Sequence, residues 1–354
     1  MEIVFLKRSN FEVLDFGYVD NEYQIIIDSV IPQKSIFLVN KLNINASIGD
    51  LLTVKDKTIN YIGIICSIEE DKTSHKTKVQ TNDFISVLDV KVKLFNYSGN
   101  LSIYLCNLIN SALITNVDPL QRFNYLSISR DFDSINGTLT FETDTIDTIS
   151  SLVNTLSKAY SIGIKYNIVF SDIGEYVGIE LHISSCKNGL ILKSTLADIK
   201  DLSISCSNEQ SINKISFIPS DENTSYRNMV SYYLLSDGQV TTNANDSKRI
   251  QNLSSETKVY KDSDYQSLKT TAQNEMLISS LEHSIEFNIG MDNKIAKPFI
   301  DINVGDYLEF ITPNKTFTTM VSQFILKNTT KQMSVVLGEY RMKLTDKIKL
   351  LTRK

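Results

Sequence analysis

The sequence predicts a mainly β protein of the α+β class, in which two related small β-modules lie near the ends of the chain with an α+β domain inserted between them. Three observations carry this. A phrase occurs twice, Ile48-Gly49-Asp50-Leu51-Leu52 and Val304-Gly305-Asp306-Tyr307-Leu308, each followed by a strand-like run, a polar break containing Lys-Thr, and another apolar strand. The first 95 residues and the last 70 read as short β-branched and aromatic runs bounded by polar turns. Between them, two stretches show the three-and-four spacing of helical faces.

In chain order, Tyr23 to Ile27 and Ser35 to Val39 are strands, and Pro32 falls between them where it costs no ladder bond. Gly49-Asp50 is a tight turn leading into Thr53-Val54-Lys55. Lys57-Thr58 form the break, and Tyr61 to Ile65 the next strand. Glu69 to Lys76 is a charged hairpin loop. Leu101, Leu105, Leu108, Ile109 and Ala112 form one helical stripe, with Ser98 or Asn100 as N-cap. Ile146, Ile149, Leu152, Val153, Leu156 and Tyr160 form a second, opened by Thr143 or Asp144. Strands are expected at Tyr125 to Ser129, Thr138 to Phe141, Ile164 to Phe170 and Val177 to Ile183.

Further along, Ile212 to Ile218 is a strand closed by Pro219, and Asp237-Gly238 marks a hairpin. A helix should cover about 264–283, with Leu268, Ala272 and Met276 on its face. The second Gly-Asp phrase then leads through Glu309-Phe310-Ile311 and Lys315-Thr316 to Phe317 to Val321, with one extra residue expected in its loop. The domain boundaries that follow are 1–95 for the first β-barrel, completed by strands near 206–220, 96–205 for the insertion, 221–284 for a connecting hairpin, loop and helix, and 285–354 for the second barrel.

Composition narrows the function classes. Among 354 residues, 42% are hydrophobic and 22% charged, as in a folded soluble chain. A net charge of −5 and the lack of a basic, aromatic-interleaved patch argue against a dedicated nucleic-acid binder; the basic tail Lys343 to Lys354 reads as a solvated terminus. Cys66, Cys106, Cys186 and Cys206 are far apart, without a Cys-x-x-Cys pair, and read as free thiols of a reducing compartment. No signal-peptide core develops at the start, and no apolar run reaches the roughly 18 residues of a membrane span.

Chemistry-bearing motifs are sparse. His75 sits in a charged loop, His182 ends an alternating strand, and His283 reads as a surface partner of Glu282 or Glu286. No metalloprotease, nucleophile-elbow or phosphate-loop motif occurs. Asp131-Phe132-Asp133-Ser134-Ile135-Asn136-Gly137 with Glu142 approaches a calcium loop, but Asn136 and Gly137 fall one place late and apolar Ile135 takes a ligand position, so an Asn-Gly hairpin turn accounts for it better. No catalytic, cofactor-binding or metal-binding residue is assigned, and no enzyme activity is expected. The residues singled out are the duplication markers Gly49, Asp50, Gly305 and Asp306.

A resemblance rests on an ordered set of features. Asn45 to Leu52 runs into Tyr61 to Ile68, and Asp83-Phe84-Ile85-Ser86-Val87-Leu88-Asp89 follows. Then come Tyr232-Tyr233-Leu234 with Asp237-Gly238 and the helix at Leu268 to Glu275. Gly338-Glu339-Tyr340-Arg341 with Leu344-Thr345-Asp346-Lys347 ends the set. In this order, over nearly the whole chain, the sequence resembles the tail hub proteins of long-tailed bacteriophages. That group includes the N-terminal hub portion of tail-associated lysins in siphophages of low-G+C Gram-positive bacteria, and the sequence is similar also to the baseplate hub of contractile tails.

The resemblance implies two tube-type β-barrels per chain and a trimeric ring, so that three chains present six similar barrels to the hexameric distal tail ring. It implies a plug that opens for tape-measure protein and DNA, with receptor-binding or fibre proteins as further partners. DNA would pass through without specific binding, which a neutral or acidic channel would favour. The expected location is the virion tail tip, after synthesis in the host cytoplasm. Larger relatives add a C-terminal peptidoglycan-cleaving or fibre segment, whereas this sequence stops at Lys354, so no catalytic residue is carried over.

Overall fold

A computed structural model describes residues 1–20, 23–28, 33–56, 58–131, 135–139, 141, 144–206, 212–235, 239–250, 255–279, 283–327 and 332–338. The Asp237-Gly238 turn, most of the Gly338 to Lys347 ending, the basic tail, Glu142 and Glu282 lie outside the described residues. The chain forms two compact units, one of Met1–Ser203 with Ile285–Leu337, the other of Ile204–Ser284 with Gly338.

The first module holds β1 (Glu2–Leu6), β2 (Val13–Tyr18), β3 (Tyr23–Asp28), β4 (Lys34–Val39), β5 (Leu51–Val54), β6 (Ile62–Asp71) and β7 (Lys76–Asp83). These are antiparallel in the order β3-β4-β7-β6-β5-β1-β2. Strand β7 shows the alternation of a half-buried strand, inward at Thr77, Val79, Thr81 and Asp83. Strands β1 and β5 are instead buried at consecutive positions, because both their faces are covered.

The insertion begins with β8 (Lys91–Lys93), β9 (Tyr97–Asn100), α1 (Leu101–Ile109), β10 (Leu126–Arg130), β11 (Asn136–Leu139), β12 (Ile146–Thr148) and α2 (Ile149–Tyr160), and it ends with β13 (Ile162–Phe170) and β14 (Tyr176–Ser185). Asn100 caps α1, its side chain accepting from the Ser102 and Ile103 amides. Helix α2 starts later than Thr143 or Asp144 would place it: Thr148 is the cap. The reason is that Ile146 to Thr148 pair with β8 before the chain turns helical, which leaves Ile146 exposed. Strand β14 runs parallel to β10 and antiparallel to β13.

Strands β15 (Lys187–Lys193) and β16 (Lys200–Cys206) follow. The second unit then contains β17 (Lys214–Pro219), β18 (Val230–Leu234), β19 (Val240–Thr241), β20 (Ser255–Tyr260) and α3 (Leu268–Ser279). The second module resumes with β21 (His283–Gly290), β22 (Tyr307–Ile311), β23 (Thr316–Lys327) and β24 (Gln332–Leu337). Its order is β16-β21-β24-β23, with β22 beside β23 and β15 beside β22. Because β3 also pairs with β23, the two modules share one 13-stranded sheet.

Two expected boundaries are corrected. The insertion ends before β15 and β16, which join the second module's sheet. The strand near 206–220 does not complete the first barrel: β17 is flanked by β18 and β20 in a separate four-stranded sheet.

Three cores result. One, shared by the two modules, includes Phe5, Phe37, Tyr61, Phe287, Phe310 and Phe324. A second joins the opposite side chains of β1 and β5, Val4, Leu6 and Leu51, to the insertion's Leu101, Leu105, Leu152 and Leu156. The third belongs to the second unit, where Leu268, Ala272 and Met276 of α3 cover Ile215, Phe217 and Tyr260.

Candidate functional site

The duplicated turns match bond for bond. In the first, the Asp50 amide donates to the Ser47 carbonyl (3.1 Å) and Gly49 has φ +97°; in the second, the Asp306 amide donates to the Asn303 carbonyl (3.0 Å) and Gly305 has φ +96°. These are the features of a type II turn, whose third residue needs a positive φ and so favours glycine. Empty space surrounds both Cα positions where a Cβ would sit, so conformation alone selects the residue. The Asp carboxylate then closes each turn from inside, Oδ2 of Asp50 accepting from the Ser47 amide and Oδ2 of Asp306 from the Asn303 amide, both at 2.9 Å.

The match continues into the strands. Gly49 donates to the Ile65 carbonyl and Ile65 to that of Asp50, as Gly305 does to Val321 and Val321 to Asp306. Both long strands then carry a bulge at the next residue, Cys66 and Ser322, and in each case that side chain donates to the carbonyl opposite, of Gln80 and Val336. Phe37 faces Val79 in the first module and Phe287 faces Val335 in the second. The expected extra residue in the second loop is therefore absent: Tyr61 and Phe317 occupy matching positions. The misplacement came from aligning the Lys-Thr pairs: Thr316 already begins β23 opposite Ile311, whereas Thr58 lies in the turn ahead of β6.

The surroundings differ. Asp50 is half-buried, and its Oδ1 accepts from the backbone amide of Arg8, in the turn after β1. Asp306 is 1% exposed, and its Oδ1 pairs with the Lys165 ammonium, carried by β13 of the insertion. The same carboxylate thus ties a local turn in one copy and an inserted domain in the other.

Beside the second turn is a cavity of about 100 Å³, lined by Asp28, Asp83, Lys165, Tyr166, Gly305 and Phe324 among others. Asp28 accepts from the Gln323 amide group at 2.9 Å. Asp83 accepts from the Tyr166 hydroxyl at 2.8 Å, and its Oδ2 is also buried. Burial pushes the Asp83 carboxyl up to about 7, against the opposing effect of the Tyr166 hydrogen bond. Burial likewise pushes the Cys186 thiol up to about 12. The cavity offers hydrogen-bonding groups and, in Cys186, a thiol held neutral.

One arrangement escaped sequence reasoning. Ser129 Oγ lies 2.7 Å from His182 Nδ1, and His182 Nε2 lies 3.1 Å from Asp131 Oδ1. The parallel register of β10 and β14 sets Ser129 opposite His182, a pairing that single-chain spacing cannot reveal. This is the residue set of a hydrolytic triad, but the serine meets Nδ1 and the carboxylate Nε2, the reverse of the usual order, and none of the three lines the cavity. His283, expected as a surface residue, is buried against Gly338. No cluster of three or more His, Cys, Asp or Glu suited to a metal ion occurs among the described residues.

Solved structures share this architecture. A prophage tail protein from Listeria monocytogenes superposes with a TM-score of 0.60 at 11% identity, over 100% of this chain and 99% of that one. The chain has the fold of phage tail proteins. A 43 kDa tail protein of a Shewanella oneidensis prophage gives 0.55 at 10% identity over 95% and 98%, and a chain of the activated phage P2 baseplate gives 0.52 at 10% over 95% and 98%. No family model matches the sequence, and no curated protein matches it significantly.

Proposed function

We propose that this protein is the structural hub of a phage tail tip or baseplate: a homotrimeric adaptor and plug below the hexameric distal tail ring, which opens to release tape-measure protein and DNA. The observation that carries the reading is the duplication, matched in turn, bulge and strand order. Three chains with two equivalent modules each present six, related by steps of about 60° around the axis, and so mate with a six-fold ring. The tail-protein fold and the baseplate membership of one similar structure support it. Fibre or receptor-binding proteins would dock on the same assembly.

The test is solution mass by light scattering, with the ring protein present if needed. Trimers of about 120 kDa, three times the 40.0 kDa chain, are expected. A monomer or dimer even with the ring protein present would refute the hub. A hub of a phage-tail-like bacteriocin or prophage injection particle shares this architecture, and capsid and terminase genes nearby would favour a phage.

The proximity of Ser129, His182 and Asp131 raises a second reading, cell-wall hydrolysis, against which the reversed nitrogen order counts. Release of muropeptides from Gram-positive walls, lost in Ser129→Ala, would support it, and intact walls would remove it.

A further inference from the structure

The duplication leaves one joint made and its counterpart open. Within the chain, the modules meet where β3 pairs with the second half of β23, Gln24 opposite Lys327 through Asp28 opposite Gln323. Strand β22 occupies that same edge of β23 only from Thr316 to Met320, so the later residues are free to take β3. The first module repeats this plan. Strand β5 covers β6 only from Ile62 to Ile64, while β7 holds the other edge as far as Asp71. By the shared register, Ser67 to Asp71 correspond to Gln323 to Lys327, yet among the described residues no strand pairs with their outer edge.

The missing partner is also present in the chain. Strand β3 sits beside β4 at the head of the first module, and β16 sits beside β21 at the head of the second, with its own outer edge unpaired among the described strands. We propose that β16 of one copy adds to the free edge of β6 in the next copy, antiparallel, repeating between chains the β3–β23 joint made within each. This rests on the ring reading and gives it an interface. Such a contact joins different surfaces of the two copies and closes into a ring when the rotation permits.

Charge fits the pairing. The exposed part of β6 carries Glu69, Glu70 and Asp71, and antiparallel addition brings the start of β16, with exposed Lys200, to the Asp71 end. The internal joint uses Ile25, Ile26 and Ile27, whereas its open counterpart is polar, as suits an edge that stays soluble before assembly.

The experiment mixes isotopically light and heavy full-length chains, isolates the assembly, and applies a zero-length carbodiimide before mass spectrometry. Light–heavy cross-links from Lys200 to Glu69, Glu70 or Asp71 are expected, and they should vanish in Lys200→Gln while the mass remains that of a trimer. A trimer whose Lys200 instead couples to Asp15 of β2, at the other end of the sheet, or to none of these acids, overturns this interface and leaves the ring reading standing. Absence of a trimer defeats both.

Discussion

Asp306→Asn and Asp50→Asn make the same chemical change in two matching turns, and the structure predicts unequal results. In either variant the amide oxygen can still accept from the turn's own amide. Asp50→Asn weakens the bond from the Arg8 amide (3.1 Å) at a half-buried site where water can substitute, a loss of about 0.5–1 kcal/mol. Asp306→Asn removes the charge that faces Lys165. Breaking a fully buried pair costs about 3–5 kcal/mol, but the Lys165 side chain keeps 29% exposure, so about 2–3 kcal/mol is expected here. Lys165→Met alone should cost at least as much, because it leaves a carboxylate at 1% exposure without its cation. The double variant should recover part of the sum, since neither charge is then stranded.

A chain of several sheets need not unfold in one step, so the decisive assay is local. Amide exchange at Gly305 and Val321, which donate across the second turn, should accelerate about thirty-fold or more in Asp306→Asn. Exchange at Gly49 and Ile65 in Asp50→Asn should change by less than about ten-fold. Equal effects in the two copies, or a stabilising Lys165→Met, would refute the claim that the second turn anchors the insertion.

Other outcomes follow from the same structure. The Asp83 carboxyl, raised to about 7 in the fold from its ordinary 3.8, is protonated in the folded chain when the unfolded chain has lost its proton; its contribution is full below pH 4 and fades up to about pH 7. Urea unfolding of Asp83→Asn should lack that decline, worth on the order of 1.4 kcal/mol per pH unit at most. Gly63→Ala should destabilise by about 1–3 kcal/mol, since its Cβ would come within 2.6 Å of the Tyr61 hydroxyl and 2.7 Å of Thr81, which bond each other. Melting temperature reads this, and an unchanged value would show that the Tyr61–Thr81 contact yields freely. Iodoacetamide at pH 8 should modify Cys66 or Cys106 well before Cys186, whose buried thiol is raised to about 12; mass spectrometry gives the order.

The sequence disclosed what backbone geometry demands and concealed what pairing decides. Gly49 and Gly305 were readable because a positive φ selects glycine, and Asp50 and Asp306 because a short carboxylate closes its own turn. The α3 face was readable because Leu268, Ala272 and Met276 repeat at four. By contrast, Asp28 and Asp83 look like any of the 41 acidic residues until the fold buries them. Thr143, Asp144 and Thr148 were all plausible caps, and only the β8–β12 pairing selects the last. Strands β15 and β16 carry no local mark of the sheet they join, since β15 reaches it through parallel pairing with β22, more than a hundred residues away.

The second core bears on how the proposed plug would open. The insertion is flanked in sequence by both modules and fastened to each: to the first through Val4, Leu6, Leu51 and Ile62, to the second through Lys165 and Asp306. Swinging it away would expose those four side chains, each worth about 1.5–3 kcal/mol of burial, before counting the insertion's own Leu101, Leu105 and Leu156. It would also strand the Asp306 carboxylate. A hinge at the insertion therefore carries a cost comparable to the whole stability of a small domain. In the proposed assembly, a gate that must open once, on command, is better placed at joints with few apolar contacts, and the polar edge of β6 would be such a joint between chains.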